Sequence, residues 1–501
     1  MSWVLPPMLF AAGLSIAAEA AFMRPRPVWR RPAGCWVLHL GGVWLLFAAG
    51  LLAFRRPWFA ACQPLAWHFL ILAVNAVKRD ALREPFLFQD FEYFSDMLRH
   101  PRLYLPFFGY LNALMGVLAA TVFIVTGVLI EPALASDVWW GSLTASAGLA
   151  VAAFFCGALA TRRLRPSFDA ESDVRTYGLA GALFLYAREE RRVSPLPARF
   201  DDVRLPAEGA SSAAHVVVVQ SESFFDARRV CADVAPAVYE WFDSVRATSA
   251  IHGLLTVPAW GANTVRSEFA FLSGLRNEQL GVHQFNPYRR LREVGTVAHA
   301  FRRAGYRTVC VHPYAAAFYA RDRQFPLFGF DEFIDIEAFD PADKVGAYVG
   351  DVALGRRVAA MLEAATEPLF VFTISMENHG PLHLEQIAPD EEAALYRKRP
   401  SEPQRELSVY LRHVLNAGKM QSELCERLSG LERESWLCWY GDHLPIMPSV
   451  YRKEDFEDSR TDYFVWSSRQ RRAAGERADM HMADLAAELI GQVCNGGRNN
   501  G

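Results

Sequence analysis

Residues 213–223 read AAHVVVVQSES, and this stretch decides the fold. Four consecutive valines, Val216 to Val219, leave no polar position to face water, so the run reads as a strand covered on both faces. It ends on Ser221-Glu222-Ser223, side chains that can hold a metal or a phosphate. Three further runs repeat the pattern: YRTVCV ends on His312, LFVFTIS on Glu377-Asn378-His379, and SWLCWY on Gly441-Asp442-His443. Open α/β sheets bind ligands at their carboxyl edge, so these endings predict one site assembled from four strand ends. Helical patterns fall between the strands. TVAHAFRRA (296–304) stops at Gly305, while DVALGRRVAAML (351–362) and the run 408–429 repeat apolar residues at helical period. The alternation predicts an α/β domain with a mostly parallel central sheet and helices on both faces.

The rest of the chain is of a different kind. At 501 residues it exceeds what one hydrophobic core holds. Residues 1–161 are dominated by Ala, Leu, Phe, Val and Trp, with charges in short clusters. Five apolar stretches, near 3–23, 34–54, 57–77, 104–130 and 138–161, approach the roughly 20 residues that cross a bilayer core. Trp3, Trp36, Trp58, Tyr104, Trp139 and Trp140 at their edges suit the headgroup region. An all-α transmembrane bundle is expected, and Glu19 with the absence of a basic start argues against a cleaved signal peptide. The loop 78–103 mixes Phe, Leu and Tyr with charge at helical spacing and reads as an amphipathic segment on the bilayer. Residues 162–213, rich in Arg, Pro and Ala, read as a connector whose patch TYGLAGALFLYA also suits the membrane surface. Residues 214–494 have the mixed charge of a soluble domain.

Arg24, Arg26, Arg30 and Arg31, then Lys78, Arg79 and Arg83, then Arg162, Arg163 and Arg165 follow alternate spans, whereas 131–137 carries no Lys or Arg. The positive-inside rule would place those loops, and the C-terminal domain, in the cytoplasm. The eight cysteines form no dense framework and leave either compartment open. With a net charge of −3, no nucleic-acid partner is expected.

Glu222, Asp442 and His443 sit at the mouths of buried strands, where a charge is costly unless paired or metal-bound. Two carboxylates and an imidazole suit Mn²⁺, Mg²⁺ or Zn²⁺ and leave room for another oxygen. Trp260-Gly-Ala-Asn-Thr-Val-Arg-Ser-Glu-Phe supplies Thr264, just past a Gly-rich turn and ahead of a helical run that stops at Gly274. A metal-activated hydroxyl at a helix N-terminus can attack phosphorus, so Thr264 is the expected nucleophile and fourth ligand. His379, followed by Gly380 and Pro381, is placed to bind phosphate or protonate a leaving alkoxide, and His312 is a second candidate. In FYARDRQFPLFGFDEF, Arg321 offers a phosphate fork and Tyr319 a stacking or hydroxyl contact.

The order QSESF, GANTVRSEFAFLSG, HPYAAAFYARDRQFPLFGFDEF, SMENHGP, WYGDHLP closely resembles the lipoteichoic acid synthase and phosphoglycerol transferase group of the alkaline phosphatase and sulfatase superfamily. The resemblance covers about 214–490 and implies an alkaline-phosphatase-like catalytic domain behind a membrane portion. It implies Mn²⁺ ligands at Glu222, Asp442 and His443, a metal-bound nucleophile at Thr264, and glycerophosphate contacts at His379 and Arg321. Tyr319 stands where known members carry Trp, which leaves the headgroup open. No C/S-x-P-x-R element lies at Thr264, so sulfate-ester hydrolysis is disfavoured. The family further implies a multi-pass protein of the bacterial cytoplasmic membrane with its catalytic domain outside, against the count of basic loops. The expected reaction moves glycerophosphate from a phospholipid such as phosphatidylglycerol to an envelope glycan or polymer. Phosphoethanolamine transfer and a catalytically silent membrane scaffold are the rival readings.

Overall fold

The computed structural model describes residues 3–23, 30–92, 109–205, 213–398, 404–469 and 475–498. Arg24, Arg26, Tyr104 and the second part of the 78–103 loop fall outside them. The chain divides into two compact units, residues 1–193 and 194–501.

The first unit is helical: α1 (Leu5–Met23), α2 (Ala33–Phe54), α3 (Pro57–Leu82), α4 (Tyr110–Ile130), α5 (Ser136–Ala160) and α6 (Ala170–Glu189). α1, α2, α3 and α5 are each long and apolar enough to cross a membrane. α4 contains a shorter apolar stretch, Leu114–Ile130. α2 and α5 approach closely because small residues line their contact: a Cβ on Gly41 would stand 2.6 Å from the Phe154 nitrogen, and one on Gly157 2.6 Å from the Leu38 nitrogen. The patch TYGLAGALFLYA lies in α6, which begins at a true cap, the Asp169 carboxylate accepting from the Ser172 N–H at 2.9 Å. α6 buries Val174, Leu179, Leu185 and Tyr186 and packs on α2, so the unit extends through the first half of the 162–213 stretch. At the start of the 78–103 loop, Phe86 and Leu87 point inward and Lys78 pairs with Asp90 at 2.7 Å.

The second unit is built on a mixed sheet. Its strands are β1 (His215–Ser221), β2 (Ile251–Thr256), β3 (Arg307–Val311), β4 (Glu332–Ile334), β7 (Leu369–Ile374), β8 (Ser435–Gly441), β9 (Thr461–Ser467), β10 (Glu476–Arg477) and β11 (Met480–His481), while β5 (Lys344–Val345) and β6 (Tyr348–Val349) form a separate antiparallel hairpin. The order is β10-β2-β9-β8-β1-β7-β3-β4, with β11 also on β2. β8, β1, β7, β3 and β4 are parallel, and β9 runs against both its neighbours.

The four valines explain the layering. Val217 and Val219 enter one apolar cluster together with Val371, Leu437 and Trp439, covered by the helices Glu240–Thr248, Asp351–Glu363 and Arg405–Ser429. Val216 and Val218 enter the other with Phe370, Phe372, Trp436 and Tyr440, covered by Thr264–Ser273, Val297–Arg303 and Met482–Arg498. Each valine is fully buried and contributes about 1.5–3 kcal/mol, which makes β1 the axis of the unit. In register Gln220 pairs Tyr440 and Ser221 pairs Gly441, so Glu222 and Asp442 leave adjacent strands side by side.

Candidate active site

Glu222, Asp442 and His443 are buried, and one ligand atom from each lies within 4.8 Å of the others. His443 Nε2 is 3.1 Å from Asp442 Oδ2 and 3.7 Å from Glu222 Oε1. Local hydrogen bonds hold the group rigidly. Asp442 Oδ1 accepts from the backbone N–H groups of Ser223 at 2.9 Å and His443 at 3.0 Å, and Glu222 Oε1 accepts from Ser223 Oγ at 2.8 Å. Ser375 Oγ accepts from the Glu222 N–H at 2.9 Å and Ser267 Oγ donates to the Asp442 carbonyl at 2.5 Å.

The charge of the cluster is unbalanced. The Leu444 carbonyl, 3.0 Å from His443 Nδ1, takes its N–H and turns the Nε2 lone pair toward the carboxylates. Among the described residues Asp442 Oδ2 is buried without a hydrogen-bond partner. Burial, with the Asp442 carboxylate second, pushes Glu222 above the usual carboxylate range. Acceptors facing one another in a dry pocket call for a cation, and two hard oxygens with one imidazole fit a divalent metal ion.

Thr264 joins this group, its Oγ1 3.3 Å from His443 Nε2. It is the first residue of the helix Thr264–Ser273, which ends at Gly274 in the left-handed region (φ 70°), a cap that favours glycine. Ala262 (φ 49°) and Asn263 (φ 64°) turn the chain into this helix, Ser223 (φ 57°) follows Glu222, and Tyr319 (φ 54°) and Ala320 (φ 52°) precede Arg321. Left-handed backbone at non-glycine residues costs on the order of 1–3 kcal/mol each, and five of the nine described instances flank the candidate residues.

Arg321 is 1% exposed. Its Nη1 is 3.0 Å from His312 Nε2, and Nη2 pairs with Glu268. Its guanidinium lies over the Tyr319 ring at 5.2 Å. Both ring nitrogens of His312 are engaged, Nδ1 being 3.2 Å from the Ile374 carbonyl, so this histidine reaches the site through Arg321. His379 is half-buried; its Nδ1 is 2.9 Å from the Gly380 carbonyl and 3.3 Å from the Tyr348 hydroxyl on the β5–β6 hairpin. Burial lowers its pKa, and Asp442 and Arg321 are among the charges it feels. Glu377 turns away from the cluster to accept from the Asp351 N–H at 2.7 Å, capping the helix Asp351–Glu363.

Sequence reasoning missed Glu268, which is fully buried and accepts from Arg321 and the Tyr288 hydroxyl. A lone acid in the apolar run EFAFLS, four residues after Thr264, was the available signal.

The sulfatase family model matches residues 214–494, more than half the chain. The chain belongs to the sulfatase family. Capsular polysaccharide biosynthesis protein RkpI of Rhizobium meliloti is 28% identical to this sulfatase-family chain over 477 residues, 90% of this chain and 84% of that protein. Lipoteichoic acid synthase 1 of Bacillus subtilis is 26% identical over 166 residues, 32% of this chain and 25% of that protein. Among solved structures, the integral membrane protein lipooligosaccharide phosphoethanolamine transferase A from Neisseria meningitidis shares the fold with a TM-score of 0.56 at 12% identity, over 93% of this chain and 96% of that one. The arrangement of apolar helices followed by a sulfatase-like domain is therefore shared with that structure over nearly its whole length.

Proposed function

We propose that the protein is a membrane-bound, metal-dependent phosphoglycerol transferase of the bacterial cytoplasmic membrane, with five spans and its catalytic domain on the extracytoplasmic side. The observation that carries the reading is the placement of Thr264 Oγ1 3.3 Å from His443 Nε2, against two carboxylates of which one oxygen has no hydrogen-bond partner among the described residues. Glu222, Asp442, His443 and Thr264 would hold one divalent cation, Mn²⁺ foremost with Mg²⁺ or Zn²⁺ compatible. Such a cation supplies Lewis-acid stabilisation of phosphoryl charge and lowers the pKa of a hydroxyl beside it.

The residues divide two displacements. Thr264 Oγ1 attacks the phosphorus of phosphatidylglycerol; an Oγ1–P bond forms, the ester bond to diacylglycerol breaks, and diacylglycerol leaves as the alcohol with the proton that Thr264 gave up. Arg321 holds the phosphoryl oxygens, and Tyr319 walls the headgroup. The acceptor hydroxyl then attacks the phosphothreonine, restoring Thr264. With Nδ1–H given to the Gly380 carbonyl, His379 keeps Nε2 as a base for that hydroxyl. The relatives' names favour an envelope glycan or polymer as acceptor: RkpI is a capsular polysaccharide biosynthesis protein, and the Bacillus relative is a lipoteichoic acid synthase.

Phosphoethanolamine transfer is the second reading, favoured by the likeness over nearly the whole chain to a phosphoethanolamine transferase. Diacylglycerol release from phosphatidylglycerol and from phosphatidylethanolamine, measured side by side in detergent, separates the two. Faster release from phosphatidylglycerol is expected, and turnover of phosphatidylethanolamine alone would overturn the phosphoglycerol assignment.

A further inference from the structure

We infer that Glu268 is a positioning residue that aims Arg321 at the donor phosphate, an inference that rests on the transferase reading above. Glu268 lies four residues after Thr264 in one helix, so both side chains project from the same face one turn apart. It is 0% exposed, and both carboxylate oxygens are used, one by Arg321 Nη2 and one by the Tyr288 hydroxyl. Arg321 is held on its other side by His312 Nε2 at 3.0 Å, and His312 is fixed in turn by the Ile374 carbonyl at 3.2 Å from Nδ1. The guanidinium is thus gripped at both terminal nitrogens, while its Nε is buried without a partner among the described residues.

Such a grip is poor at stabilising a fold, because two charges lose their hydration in forming it. What it supplies is direction. Arg321 enters from Tyr319 and Ala320, both left-handed, and a planar fork can meet phosphate oxygens in line only if it cannot swing. Because the anchor shares a helix with Thr264, the Arg321 guanidinium and the nucleophile move as one body, and a phosphoryl group between them keeps its distance to both.

The test is a double-mutant cycle on the full-length, cation-loaded protein in detergent: wild type, Glu268→Gln, Arg321→Met and the double variant. The readouts are Kd for glycerol phosphate by calorimetry and kcat/KM for phosphatidylglycerol, with the cation-induced rise in Tm reporting an intact fold. Glu268→Gln is expected to weaken both on the order of 10- to 100-fold, as removal of an outer partner does elsewhere. In the Arg321→Met background it should change them less than about twofold, because a residue acting through Arg321 has nothing left to act on. Losses that multiply, or a Glu268→Gln protein that loses Tm but keeps Kd, would overturn the inference while leaving the transferase reading standing. A wild type that binds no glycerol phosphate would overturn both. Should Glu268→Gln fail to fold, Tyr288→Phe removes only the second grip on Glu268, and its smaller rise in Kd should likewise vanish beside Arg321→Met.

Discussion

Two buried ionic clusters in this chain are built on opposite plans. In the first unit Glu19 is fully buried and fully answered: Arg31 Nη1 donates to both its oxygens at 3.1 Å, and the Leu179 N–H donates to Oε1 at 2.7 Å. In the second unit two carboxylates and a histidine crowd together, and Asp442 Oδ2 is left with no hydrogen-bond partner among the described residues. The first cluster is complete as it stands and ties helices together. The second keeps an unbalanced charge of the kind a cation would answer. Burial alone does not mark a functional site; burial with unbalanced charge does.

The contrast can be broken at several points. Replacing Thr264 with Ala should cost transfer activity on the order of 10⁴-fold or more, as loss of a nucleophile does, while a divalent cation still raises Tm. Retained turnover in that variant would remove the chemical meaning of the second cluster. Glu19→Ala should remove the buried Arg31–Glu19 pair and cost about 3–5 kcal/mol, read as a fall in the Tm of the metal-free protein, with the metal-induced rise in Tm unchanged. A loss below 1 kcal/mol would show that the first cluster is not the structural tie described.

Asp442→Asn should act in the reverse sense. At a cation concentration of 100 Kd the wild type gains about 2.7 kcal/mol, and the variant should lose most of that gain. Without metal the variant should be at least as stable as the wild type, since it relieves the repulsion on Glu222. The smallest effect is one of pH. Burial and Asp442 raise Glu222 in the folded state, so the protonated form favours folding. Metal-free stability is therefore greatest below the ordinary glutamate value and declines as pH rises through the raised one. Thermal melts without metal should show that decline, and saturating cation should flatten it.

Much of this was legible before any coordinates. A strand covered on both faces has to be apolar throughout, so VVVV, LFVFTI and SWLCWY announced a buried sheet, and their polar endings announced its working edge. Gly274 and Gly305 both take positive φ where helices stop. The far side of the sheet was not read: β9, TDYFVWS, is as apolar as its parallel neighbours, and nothing local tells that it runs antiparallel to β8. Nor could Glu268 be matched to Arg321, since their meeting depends on a chain return of 53 residues. In α6 the charges at both ends dilute the mean hydropathy of a helix whose middle is buried.

The central claim is that Thr264 is the covalent nucleophile beside the Glu222–Asp442–His443 cluster. Peptide mass spectrometry of the full-length protein, after incubation with labelled phosphatidylglycerol and a divalent cation, tests it most directly. A glycerophosphate adduct on Thr264, absent from Thr264→Ala and without acceptor, is the predicted result. Diacylglycerol release with the adduct on another residue, or with equal release by Thr264→Ala, would contradict it.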